Sequence, residues 1–214
     1  MLLIDLIKEY FLFASNWVNY YRSSIPEGWQ LGEADDVLLM PGFNENWYFL
    51  KEIGDLLNSN GYRIHLVKGR RQASIERQSL RVHEYVINKK LQNIVLIGHS
   101  KGGLVVRKLL AMQNSFSIQK VITISTPHNG TIFGYLRLLN LAELIPGSKF
   151  FTDWDSSLNE QIYNFYPKFD NHVVPGSSLL LAGAHNEQIE INGHTRILKS
   201  NSLLSKLLIL LQTK

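Results

Sequence analysis

The sequence predicts an α/β protein: a doubly wound, mostly parallel sheet of about six strands with helices on both faces. Three observations carry that expectation. Short, predominantly apolar runs, "DVLLMP" (36–41), "YRIHLV" (62–67), "NIVLIG" (93–98) and "KVITIS" (120–125), lack the strict alternation of half-exposed strands, as burial on both faces requires. Between them, apolar residues recur at helical spacing from about Glu45 to Asn58, from Ser74 to Lys89, and after Ser100. The 214 residues, 45% of them hydrophobic, suffice for one well-formed core but not comfortably for two.

Taken in order, residues 1–30 form an N-terminal amphipathic helix and connector, and residues 31–214 the main domain. Asp5, Lys8 and Glu9 interrupt the first apolar run, and no basic stretch precedes it, so neither a signal peptide nor a membrane span fits. On a helical wheel Asp5, Lys8, Glu9, Ser15, Asn16, Asn19, Arg22 and Ser23 share one arc, opposite a wide apolar face. Two placements stay open for this helix, packed on its own domain or lying on a membrane surface. The expected location is cytoplasmic, with peripheral membrane contact under the second placement. After Asn60-Gly61 ends the next helix, the strand–helix rhythm holds as far as Ser125. A leucine-rich insertion follows at about 129–160, with a helix ending near Pro146-Gly147. Weaker strands are expected around 162–169 and at "SSLLLAG" (177–183), before a closing helix over 195–212.

Composition removes several function classes. Net charge is +4, and apart from "KGRR" (68–71) the basic residues are scattered, without the basic–aromatic stripe that nucleic-acid binding uses. There is no cysteine, which excludes disulfides, thiolate metal sites and a cysteine nucleophile.

The sharpest local signal is Gly98-His99-Ser100-Lys101-Gly102, a G-x-S-x-G placed between a strand and a helix. Side chains two before and two after the serine would collide with backbone in so tight a turn, and glycine relieves the crowding. The hydroxyl is then held at the sheet's C-terminal edge, beside the positive end of a helix.

With these residues the chain resembles the α/β-hydrolases of the bacterial lipase and esterase type. "PGF" (41–43) is similar to the family's oxyanion loop, "GHSKGG" to its elbow and "STPHNGT" (125–131) to the approach to its lid. "FDNHVVP" (169–175) and "NGHTRIL" (192–198) are similar to its acid and histidine blocks. The likeness spans about residues 36–213, with five blocks in family order. Two positions depart from it: Pro41 stands where a histidine often precedes Gly42, and charged Lys101 where an apolar residue often follows the serine.

The resemblance implies a serine hydrolase acting on carboxylic esters. Ser100 is its nucleophile, Asp170 and His194 complete the triad, and the backbone N–H groups of Phe43 and Lys101 form the oxyanion hole. No metal or other cofactor is expected. Among the other histidines, His65 falls in a strand, His83 in a helix, and His99 points away from the serine. His172 is too near Asp170, while His128 and His185 remain competitors for the base. Asp153, Asp155, Glu187 and Glu190 compete for the acid. Apolar excess in the insertion (Ile132, Phe133, Tyr135, Leu136, Leu138, Leu139, Leu141, Leu144, Ile145) favours a lipid or long-chain acyl ester. Two alternatives stay open: an acyltransferase using the same triad, and a catalytically silent lipid-binding module.

Overall fold

The computed structural model describes residues 3–67, 73–112, 116–136, 141–148, 151 and 154–213. Six strands form one sheet: β1 (Asp36–Met40), β2 (Arg63–Leu66), β3 (Ile94–His99), β4 (Ile118–Ile124), β5 (Ile162–Phe169) and β6 (His185–Asn192). Their order across the sheet is β2-β1-β3-β4-β5-β6, and every neighbouring pair is parallel. Parallel neighbours need crossovers, and the first three carry α2 (Lys51–Ser59), α3 (Ile75–Lys89) and α4 (Lys101–Leu110), while α1 (Leu3–Arg22) precedes the sheet and α5 (Asn201–Gln212) follows it.

Strand alternation sorts the apolar residues onto two faces. Val37, Leu39, Val95 and Ile97 point to one side, against α2, α5 and the inner flank of α1. Leu38, Met40, Ile94 and Leu96 point to the other, against α3 and α4. Both faces of the central strands are therefore dry, which is why their sequences read as apolar runs. The closing helix breaks at Ser200, whose ψ of 124° separates a 3-10 turn (Arg196–Lys199) from α5. The second helix likewise opens as a 3-10 turn (Trp47–Leu50), capped by the Asn46 side chain.

Two sequence expectations are corrected. "SSLLLAG" is not a strand: Gly176–Leu179 is a 3-10 turn, and Leu179 and Leu181 are buried as parts of a packed loop. The sixth strand is instead the polar "HNEQIEIN", an edge strand in which Ile189 is the buried residue, so no apolar run marks it. Among the described residues of 129–148, Ile132–Tyr135 and Ala142–Leu144 are 3-10 turns, and no α-helix reaches Pro146. Leu141 and Leu144 are buried against the α3–α4 side of the sheet, while Ile132, Tyr135 and Leu136 stay about half exposed. Leu138, Leu139, Asp153 and the "KGRR" run lie outside the described residues.

The N-terminal helix docks in an unexpected orientation. Its polar arc is not its solvent face: Glu9 and Asn16 are buried against the domain and Asp5 is half-buried. Phe13 packs edge-on against Phe49 from the same side. Among the described residues, no helix is long and apolar enough to cross a membrane.

Candidate active site

The turn from β3 into α4 puts Ser100 at φ 52°, ψ −126°, a region that non-glycine residues avoid and that stores roughly 1–3 kcal/mol of strain. Backbone bonds hold it there, with Ser100 N donating to Ile124 O and Gly103 N to Ser100 O. The flanking glycines are required by space. A Cβ on Gly98 would lie 2.5 Å from Gly102 O, and one on Gly102 would lie 2.2 Å from Met40 O. Any side chain at either position would push the elbow apart.

Asp170 follows the end of β5 and His194 the end of β6, so neighbouring parallel strands deliver both to the same sheet edge as Ser100. His194 Nδ1 lies 2.8 Å from Asp170 Oδ2, and both side chains are buried. Asp170 Oδ1 also accepts the backbone N–H groups of His172 and Val173 at 2.8 and 2.9 Å. Burial alone would raise the Asp170 carboxyl. The His194 charge and hydrogen bond, with the two backbone donors, outweigh it and hold the carboxyl below its ordinary value. For His194 burial works downward. The charge and hydrogen bond of Asp170, then Glu45 and Glu9, outweigh it and raise the imidazole above its ordinary value.

The competing residues are placed elsewhere. His128 is buried in a polar network with Thr123 and Asn164, and burial pushes it down to about 3. His185 stacks on Tyr163, His65 pairs with Asp36, and His83 packs on Phe116. Glu187 and Glu190 form surface ion pairs with Lys206 and Lys168, and Asp155 caps a 3-10 turn. His172 packs its ring 4.6 Å from that of His194. Burial, then the His194 charge, lowers it to about 4, so it stays neutral beside its neighbour.

The loop after β1 closes on the serine: a Cβ on Gly42 would lie 2.9 Å from Ser100 Cβ. Gly42 N is already committed to Glu45 Oε2 at 2.7 Å, so Gly42 is not a spare donor. Lys101 opens α4, where first-turn N–H groups have no partner within the helix. The Lys101 side chain, charged where the family often has an apolar residue, does not carry a free charge into the site. It is buried, donates to Ala73 O and pairs with Glu143, whose other oxygen accepts Ile75 N. Glu143 thereby clips residues 141–145 of the insertion to the starts of both α3 and α4.

Two residues that sequence reasoning missed join this site. Glu45, fully enclosed, bonds Gly42 N and His99 Nδ1, and His99 Nε2 reaches the His194 carbonyl at 3.0 Å. Burial alone would raise Glu45, but His99, His194 and Gly42 N–H outweigh it and hold it low. His99 is structural as expected, and its role is to tie the Gly42 loop to the His194 turn. Glu45, His99 and His194 present ligand atoms within 4.8 Å of one another. His99 spends both ring nitrogens on the bonds just named, so the cluster is a hydrogen-bond network. Glu9, from α1, accepts the N–H groups of Thr195 and Arg196 directly after His194. Neither acid carries a local sequence signal. Glu45→Gln keeps the volume and an oxygen that can accept from both Gly42 N and His99 Nδ1, but removes the charge that strengthens both bonds, a loss of ~1–3 kcal/mol. The melting temperature is expected to fall by roughly 2–12 °C at this chain length, read by circular dichroism. An unchanged melt would show that the charge adds no stability.

A groove of about 600 Å³ is lined by Pro41 and Gly42, from the loop that closes on Ser100, and by Tyr20, Tyr21, Glu45 and Trp47 among others.

A family model described as the PGAP1-like alpha/beta domain matches residues 73–140, which include the elbow. No curated protein matches the sequence. Among solved structures, Est1E from Butyrivibrio proteoclasticus is similar at a TM-score of 0.64 and 14% identity, over 86% of this chain and 90% of that one. The mature form of lipase BlEst2 from Bacillus licheniformis aligns at 0.62 and 15%, over 85% and 92%. MGS-MChE2, an alpha/beta hydrolase enzyme from the metagenome of lagoon sediments at Mar Chica, Morocco, aligns at 0.61 and 16%, over 84% and 90%. Sheet order, elbow and neighbours agree that this chain has the α/β-hydrolase fold.

Proposed function

We propose that the protein is a serine hydrolase that cleaves carboxylic esters, with lipid or long-chain acyl esters as its substrates. The observation that carries this reading is the buried Asp170–His194 pair, set at the same sheet edge as the strained Ser100 elbow. Asp170 holds the Nδ1 proton of His194, which leaves Nε2 as the base that takes the Ser100 proton. Ser100 Oγ attacks the ester carbonyl, and the new oxyanion accepts the N–H groups of Phe43 and Lys101, each such donor being worth ~3–4 kcal/mol. His194 returns the proton to the leaving alcohol. Water, deprotonated by His194, then frees the acid from the acyl-enzyme. No step calls for a group outside the chain.

The long-chain preference rests on the groove that Pro41 and Gly42 help to line, where the acyl part of a bound ester would lie. Each methylene buried there adds ~0.8 kcal/mol, or roughly fourfold in kcat/KM. With dissolved p-nitrophenyl esters, kcat/KM is expected to climb from acetate to octanoate. A maximum at acetate would make the protein a short-chain esterase and remove the lipid reading.

A further inference from the structure

Helix α1 turns its acids inward together with Phe13, Trp17 and Tyr20, and a second set of apolar residues outward. Asp5 bonds Arg196 and Asn192, and Glu9 bonds the turn after His194. The opposite face carries Leu3, Ile4, Ile7, Phe11, Val18 and Tyr21, each close to half exposed or more, with Leu3, Phe11 and Tyr21 above 70%. Its charged rim consists of Lys8 and Arg22, both exposed. All the acidic residues of this helix are therefore spent on the domain, and both basic ones remain outside. Such a face is complementary to an anionic surface with an apolar layer beneath it.

The face is also continuous with the site. Tyr21 borders the groove that Gly42 helps to line. At the other end, the Tyr10 ring lies 6.2 Å from His172, which packs on His194. The carbonyl of His172 accepts from Thr131, directly before the half-exposed Ile132, Tyr135 and Leu136. Helix α1, through Tyr10, and the insertion, through Thr131, thus both reach His172 beside His194.

We propose that the outward face of α1 docks on an anionic lipid surface and turns the His194 side of the molecule and the adjoining groove toward it. This rests on the ester-hydrolase reading and deepens it, because it makes the substrate one that is taken from a lipid layer. The helix then has two jobs on opposite faces: the outer one meets lipid, and the inner one fixes the backbone beside His194. A second copy of the chain would also cover apolar residues, but would bring Lys8 and Arg22 against their own counterparts.

The test uses full-length Ser100→Ala protein, so that binding is read without turnover, and sedimentation with two vesicle types. Binding is expected to phosphatidylcholine vesicles containing phosphatidylglycerol, more weakly to phosphatidylcholine alone, and less at raised salt. Adding Ile7→Asp with Phe11→Asp is expected to weaken binding by roughly tenfold or more. The same pair in the otherwise native chain should leave hydrolysis of a short dissolved ester unchanged, which shows that the fold is intact. Absence of sedimentation, or binding that survives the pair, would overturn the proposal. So would a dimer in analytical ultracentrifugation that the pair dissociates, with no vesicle binding. Loss of short-ester hydrolysis in the native chain would strike the hydrolase reading instead, so the two failures are distinguishable.

Discussion

Ser100→Ala is expected to abolish ester hydrolysis, with kcat falling ~10⁴–10⁶-fold, the scale found when a triad member is removed. The reason is specific to the elbow. Its backbone is held at a positive φ by the Ile124 and Gly103 hydrogen bonds, and Gly98 and Gly102 leave no room for another arrangement. Ser125 also sits at a positive φ, at the end of β4, but its hydroxyl is buried and donates to the His194 carbonyl, so it is not free to take over. A fluorophosphonate probe, followed by peptide mapping, is expected to label Ser100 and to leave the alanine variant unlabelled. Alanine removes the hydroxyl without changing the turn, so the variant should melt close to the native chain. Labelling at another serine, or retained hydrolysis, would end the proposed mechanism.

The second large effect is expected at Asp170. Its Oδ1 accepts two backbone N–H groups, and Oδ2 lies against His194 Nδ1. In Asp170→Asn the amide oxygen must stay with the backbone donors, which turns the NH₂ toward His194. The imidazole then has to accept at Nδ1 and carry its proton on Nε2, where a base is needed. Loss of about 10⁴ in kcat is expected, as when the orienting aspartate of a serine protease becomes asparagine. The pH profile gives an independent reading. In the proposed mechanism His194 works unprotonated, so kcat/KM is expected to rise as pH passes upward through its raised pKa and to be lost as pH falls through it. Removing the Asp170 charge lowers that pKa, and the acid limb of the residual activity should move to lower pH. Combined with Ser100→Ala, the change should cost little more, because a base has no proton left to take. An additive loss would show that Asp170 acts outside the triad, through the fold alone.

Much of the architecture was legible because its causes are local. β1, β3 and the last four residues of β4 are buried on both faces, so most of their residues are apolar and the run announces itself. The elbow was legible for a related reason: its steric demand falls on positions two residues either side of Ser100. Ser74 and Lys89 marked the limits of α3 because caps act within a turn. The edge of the sheet was harder to read. β6 needs only Ile189 inward, and a strand with one buried residue looks like a loop, while the apolar loop at 177–183 looks like a strand.

The sequence alone determined the alternation of strands and helices, the turn at Ser100 and the order in which serine, acid and histidine blocks occur. Each depends on neighbours within a few residues, or on a motif that such neighbours define. Only the tertiary structure decided which carboxylates support the site. Glu45 meets His99 54 residues away, and Glu9 meets Thr195 186 residues away. It also decided that Lys101 is buried against Glu143, and that α1 lies on the domain with its acids inward. A helical wheel shows that a helix has two faces but not which one is covered, because that depends on what the rest of the chain places beside it. Here the backbone N–H groups after His194 need acceptors once they are buried. Two of them find one in Glu9, and that requirement holds the apolar face of α1 outward.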